Sequence, residues 1–230
     1  MLRRMIRDAR KALARKRRER QDLRELAALK AALTGFDDIA TVALEARVEL
    51  EASWREYVTT VSSPIMAASL ELSALILAIA RIRRPRRVLD LGSGFTSYVL
   101  RSYAREAGGV TAVTVDDDTA WLERTRVFLA ADGLATDEMW IWDELSKSSP
   151  QTFQLVVHDL GTKVSVRAGA LPRALELTAR DGLLVLDDLH SGLYRNAAPG
   201  ICRRAGRRFL PARMLSLDTY GRYAAIALPR

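Results

Sequence analysis

Apolar positions change their spacing part-way along the chain. Over residues 2–33, Leu2, Met5, Ile6, Ala9 and Leu13 recur at helical spacing among arginines and lysines, and no proline or glycine interrupts before Gly35. This pattern predicts one long amphipathic helix. Residues 38–57 read as a second helix. Ser62, Ser63 and Pro64 have the residue types of a helix start, with Pro64 just inside it. Leu72, Leu75, Ile76 and Ile79 then supply the apolar face of a third helix running to about Ile82. The basic turn from Arg83 to Arg87, around Pro85, reads as solvated surface.

From Arg87 the pattern becomes short apolar runs alternating with helical stretches. Strands are predicted at 88–91, 109–115, 139–142, 153–158 and 182–186, and helices at 96–107, 119–131 and 166–177, the last containing Pro172. Residues 212–217 and 222–228 suit two final strands joined by 218–221. Such alternation predicts an α/β fold with a mostly parallel sheet covered by helices. Sheets of this kind bind ligands beyond the carboxyl ends of their strands.

Composition changes this picture little, but charge divides it. Of the net charge of +8, all is carried by residues 1–30, which hold twelve Lys or Arg and four acids; the remaining 200 residues hold 24 bases and 24 acids. The chain therefore divides into a basic helical extension, 1–60, and a balanced domain, 61–230. The extension suits packing on the body or a second subunit (a homodimer), contact with an anionic membrane surface, or nucleic acid. For nucleic acid it lacks an interleaved aromatic platform. Cys202 is the single cysteine, so no internal disulfide forms, and no Cys/His cluster has zinc-site spacing. The charged start does not read as a secretory signal, and no apolar run is long enough to span a bilayer, which predicts a cytoplasmic protein.

The most informative run is Val88-Leu-Asp-Leu-Gly-Ser-Gly-Phe-Thr-Ser97, which sets Gly92 and Gly94 between a buried strand and a helix. Glycine there permits tight-turn dihedrals and close backbone approach. With Asp90, Gly92 and Gly94, residues 62–230 resemble the class I S-adenosylmethionine-dependent methyltransferases. The resemblance implies a Rossmann-like fold with a seven-stranded sheet. Its glycine turn, Gly92-Ser93-Gly94, cradles the methionine part of S-adenosyl-L-methionine, and Asp90 positions the turn or the cofactor's amino group. The family's ribose-binding acid falls at Thr114, with Asp116 two residues later; Asp116 can accept two hydroxyl hydrogen bonds or, with Asp117 and Asp118, cap the next helix. Trp142 and Asp143 resemble the adenine contacts, core packing being the alternative for the tryptophan. Ser63 and Glu71 fall in the family's entrance segment and are candidates for the cofactor's polar end, or else a cap and a surface acid.

Three further carboxylates follow two buried strands: Asp159 after Phe153–His158, and Asp187 and Asp188 after 182–186. Close carboxylates repel, and a hard divalent ion resolves the repulsion with oxygen ligands. The arrangement resembles metal-dependent O-methyltransferases, and the acidic pair resembles bacterial sugar-hydroxyl methyltransferases. The resemblance implies Mg2+ on Asp159, Asp187 and Asp188, with Asp159 also near the cofactor. Its acceptor is a small hydroxylated molecule, with a saccharide or glycosylated metabolite as candidate. The alternative is a plain turn before Ser191. His190 is the preferred general base and His158 a structural or metal-adjacent residue. Lys163 stands one position later than the family's lysine and is a second base candidate or an anion contact. Tyr194 and Arg195 are candidates for shaping the acceptor pocket. An RNA methyltransferase and a non-catalytic scaffold that binds through the basic helix are the competing functions.

Overall fold

In a computed structural model, which describes residues 2–33, 39–147 and 151–230, three helices precede an alternating α/β body. Helix α1 (Leu2–Ala32) and α2 (Ile39–Thr60) lead to α3 (Leu70–Arg83). The body runs β1 (Arg87–Leu91), α4 (Phe95–Ala107), β2 (Thr111–Asp116), α5 (Thr119–Ala131), β3 (Met139–Ile141) and α6 (Trp142–Lys147). It continues with β4 (Phe153–His158), α7 (Val164–Leu177), β5 (Thr178–Leu186), α8 (Gly192–Arg204), β6 (Arg207–Pro211), α9 (Arg213–Ser216) and β7 (Ala225–Pro229). Among the described residues, no helix is long and apolar enough to cross a membrane.

The seven strands lie in the order β3-β2-β1-β4-β5-β7-β6. Pairings from β3 to β5 are parallel, and β7 enters antiparallel between β5 and β6. The predicted Rossmann-like, mostly parallel seven-stranded sheet with a helical extension is therefore the architecture observed. Apolar side chains bury on both faces. On one side α2, α3 and α4 enclose Ile76, Ile79, Phe95 and Val157; on the other, α7 and α8 cover Val156, Leu171, Leu184 and Tyr194. The central strands read as continuous apolar runs because neither face meets water.

Helix α1 divides in two. Its described positions up to Arg20 are exposed, whereas Leu29 and Leu33 are buried and Asp22 pairs with Arg213 of α9 at 2.9 Å. The side chains of Leu2, Met5, Ile6 and Ala9, and the position of Asp38, lie outside the described residues.

Two predicted boundaries are corrected. The third helix begins at Leu70 rather than Pro64, because Ser69 caps it by accepting a hydrogen bond from Leu72 N. Residues 64–67 form a turn whose carbonyls at Pro64, Ile65 and Ala67 accept hydrogen bonds from Arg222 instead of from a helical turn. The strand expected at 212–217 is the short helix α9, held by Ser216 Oγ, which donates to Ala212 O and accepts from Ala224 N. The strand at that edge is β6, one segment earlier.

Candidate active site

Strand register brings the candidate residues into one row. Leu91 aligns with Val115 on one side and His158 on the other, and His158 aligns with Leu186. The next residues along β2, β1, β4 and β5 are therefore Asp116, Gly92, Asp159 and Asp187, side by side at the carboxyl ends. No sequence-local feature makes this row; parallel pairing does.

At the glycine turn, Gly92 has φ +106°, and a Cβ there would lie 2.6 Å from the backbone C and O of Asp159. The missing side chain lets β1 close on β4. Gly94 serves the open side, its Cβ position facing the Tyr57 hydroxyl at 3.5 Å. Asp90 is buried beneath the turn, where Oδ2 accepts from Thr96 Oγ1 (2.9 Å) and Ser97 Oγ (2.6 Å), fastening the start of α4. Desolvation raises its pKa to about 7, the two hydroxyls pulling against it and Asp116 adding to it. Asp116 Oδ2 accepts from both Ser93 N and Ser93 Oγ at 2.6 Å, and Oδ1 accepts from Asp118 N at 2.9 Å. Trp121 secures the turn from α5 by donating Nε1–H to Ser93 O at 2.7 Å.

At the acidic end a buried arginine takes the central place. Arg167, in the first turn of α7, sets Nη2 2.6 Å from Asp159 Oδ1 and pairs Nη1 closely with Asp188 Oδ2. Nη2 also donates to the carbonyls of Asp159 (3.2 Å) and Gly161 (2.9 Å). Burial works against its charge, yet Asp159, Asp188 and Asp187 outweigh burial and hold its pKa above the usual arginine range. Desolvation raises Asp159 to about 7, with Arg167 opposing and Asp188 reinforcing. Asp187 is likewise raised by desolvation and by its acidic neighbours, and its Oδ1 accepts from Asp188 N at 2.6 Å. His190 Nδ1 lies 3.3 Å from Asp188 Oδ1.

Both ends open into one cleft of about 490 Å³, lined by Gly92–Gly94, Asp116, Trp121, Asp159, Arg167, Asp187, Asp188 and His190, with Tyr57 and Arg222. Ile65 and Met66 stand exposed beside it.

No family model matches this chain, and no curated protein matches it. Solved structures do. The O-methyltransferase TomG from Streptomyces achromogenes, involved in tomaymycin synthesis and solved with SAM, has a TM-score of 0.57 at 19% identity, covering 92% of this chain and 97% of its own. Cofactor-bound Rv0187 from MTB gives 0.56 at 22% identity, over 89% of this chain and 95% of its own. The SAH-bound methyltransferase PaMTH1 of Podospora anserina gives 0.56 at 14%, over 82% and 88%. The fold is that of the class I methyltransferases.

The sequence resemblance expects a cofactor above the glycine turn, and the cleft there is lined by Gly92–Gly94, Asp116, Trp121 and Tyr57. The buried Tyr57 hydroxyl lies 3.5 Å from the Cβ position of Gly94, beside the hydroxyl of Thr125. Asp116 has three of about four acceptor sites filled, two of them by Ser93, whose hydroxyl can turn away to leave room for a ribose. Thr114 points elsewhere: it is a buried strand residue contacted by Arg101 at 3.4 Å and does not line the cleft.

Other candidates also stand outside the lining. Trp142, the first residue of α6, packs partly buried against the core, and Asp143 is exposed beside it. Ser63 is in the turn before α3, its carbonyl accepting from Ala67 N, and Glu71 pairs with Arg47 at 3.5 Å. Lys163 is exposed at the start of α7. His158 is fully buried, with Nε2 2.9 Å from Arg167 O; a carbonyl only accepts, so Nε2 carries the hydrogen and Nδ1 has no partner. Desolvation lowers its pKa to about 4, so the ring is neutral. Tyr194 is a buried core residue, and Arg195 is exposed, donating to His190 O at 3.4 Å.

A divalent ion does not fit the acids as they are arranged. One oxygen of Asp159 and one of Asp188 are paired with Arg167, which places a guanidinium between them, and Asp187 Oδ1 accepts from a backbone N–H. Among the described residues, no group of three or more His, Cys, Asp or Glu side chains is disposed to hold a metal. Sequence reasoning missed Tyr57, Trp121, Arg167 and Arg222. Only Trp121, three residues beyond the helix-capping Asp118, carried a local hint of facing the turn.

Proposed function

We propose that this protein is an S-adenosylmethionine-dependent O-methyltransferase acting on a hydroxyl of a small molecule. The observation that carries this reading is a single cleft with the glycine turn at Ser93–Gly94 and Asp116 at one end and an exposed histidine, His190, at the other. The likeness to TomG, itself named an O-methyltransferase, supports it.

S-adenosylmethionine, when bound, supplies an electrophilic sulfonium methyl. The turn and Asp116 would hold its methionine and ribose parts, with Tyr57 offering one further hydroxyl. His190 takes the proton of the acceptor hydroxyl on Nε2, because Nδ1 faces Asp188. Asp188 stabilises the imidazolium so formed, and Arg167 keeps Asp188 in place. Ile65, Met66 and Tyr220 offer apolar surface beside the polar floor, which suits a ring carrying hydroxyls, whether saccharide or phenol.

Calorimetry with S-adenosylmethionine and S-adenosylhomocysteine tests the first half, and absence of binding to both refutes the assignment. Transfer of labelled methyl to a panel of sugars and phenols tests the second. His190→Ala is expected to lower turnover by roughly 100-fold or more at unchanged cofactor affinity.

A further inference from the structure

We infer that Arg167 is the resident cation of the Asp159–Asp187–Asp188 cluster, standing where a divalent metal would otherwise sit, and that the site works without one. The inference deepens the methyl-transfer reading by assigning how its acceptor end is held.

Three observations carry it. Arg167 is not a surface arginine that has drifted inward: its residue is 7% exposed, and four hydrogen-bonding or ionic partners surround the guanidinium. Both ends of the residue are fixed, since its carbonyl faces His158 Nε2 while its side chain spans the ends of β4 and β5. The loop between β4 and α7 is also shaped to admit it. Gly161 has φ +80°, and a Cβ there would lie 2.6 Å from Val166 Cγ1, so glycine is needed to fold this loop closely over α7 and aim its carbonyl at the guanidinium.

Divalent and guanidinium cations make different demands on the acids. Magnesium requires an octahedral shell of oxygens at short range. A guanidinium presents a planar fork of N–H donors that pairs with carboxylates at hydrogen-bond distance. Asp159 and Asp188 meet the second demand. A metal that took the paired oxygens of Asp159 and Asp188 would displace the buried Arg167 guanidinium from both carboxylates. Because Asp188 also approaches His190, Arg167 is a positioning residue for the proposed base rather than a group that reacts.

The test is Mn2+ binding to the full chain without cofactor, followed by electron paramagnetic resonance, so its result is separate from whether S-adenosylmethionine binds. Wild type is expected to show no site at about 1 mM Mn2+. Arg167→Ala should gain one site per chain, at least roughly ten-fold tighter than any wild-type binding, and lose it again on adding Asp188→Asn. Arg167→Lys, which keeps a cation there, should gain none. A single Mn2+ bound by wild type and lost in Asp188→Asn overturns the inference, and this arm stands even if Arg167→Ala does not fold. Failure of a folded Arg167→Ala to gain a site overturns it too, since the cluster would then be no cation site.

Discussion

The two ends of the cleft satisfy their acids differently. Asp116 is held by a backbone N–H and a hydroxyl from Ser93 and a second backbone N–H from Asp118. Asp159 and Asp188 are held by a buried guanidinium. Neutral donors can be exchanged for those of a ligand at small cost, whereas separating buried charges leaves one uncompensated. One end is therefore built to trade partners and the other to stay fixed, which suits the proposed exchange of cofactor beside the proposed base.

Breaking the fixed end should have the largest effect. Arg167→Ala is expected to cost about 3–5 kcal/mol of stability at neutral pH, because two carboxylates lose their counter-charge at once. Chemical denaturation measures it, and a loss below about 1 kcal/mol would show that the pair is solvated. Beneath that end, His158 predicts a pH effect of known sign. Its folded pKa, about 4, lies below the value of 6.5 for a free histidine, so as pH falls through this window the unfolded chain takes up a proton that the folded chain refuses. Wild-type stability should fall relative to His158→Gln by ~3 kcal/mol between pH 7.5 and pH 4. The comparison must be made against that variant because Asp90 and Asp159, both raised to about 7, contribute with the opposite sign. They favour the folded state below their unfolded pKa, and that contribution is lost as pH rises through about 7.

The exchangeable end is probed by affinity. Asp116→Asn should weaken S-adenosylmethionine binding by roughly ten- to thirty-fold, about 1.5–2 kcal/mol, while Asp188→Asn leaves it within about two-fold; equal effects in calorimetry would erase the distinction between the ends. The smallest effect is expected far from both. Arg17→Gln and Arg18→Gln, on the exposed part of α1, should change stability by less than about 0.5 kcal/mol, in contrast to Leu29→Ala on the buried part, where about 2–5 kcal/mol is expected.

Much of the fold was legible because the signals were local. Buried parallel strands such as Leu155–Val157 are continuous apolar runs, and the Gly92–Gly94 turn marks where the first one ends. Helix α8 was not read, since Gly192 and Pro199 interrupt its pattern; the spacing of buried Tyr194, Ala198 and Cys202 at every fourth position was its available signal. Strand β6 was displaced by one segment because Arg207–Pro211 is poor in apolar residues and carries a terminal proline. At the site, Asp159, Asp187 and Asp188 could be grouped in advance because each follows a readable strand. Arg167 could not. It is one basic residue among 36, and its meaning comes from the packing of α7 against β4 and β5, which brings it to Asp159 and Asp188. The metal expected from the acids alone followed sound electrostatics with the counter-charge left out.

Arg222 has a consequence for how the molecule comes into being. It joins the turn at 64–67, at the mouth of the cleft, to a residue more than 150 positions later, and it is itself aligned by Asp218 at 2.6 Å. A chain growing on the ribosome can shape its glycine turn once β1 and β2 are made, but it has nothing to tie down the mouth until the loop before β7 emerges. The cleft wall at 64–67 is thus fastened by a residue that follows six of the seven strands, so the glycine turn can take shape before that wall is tied down.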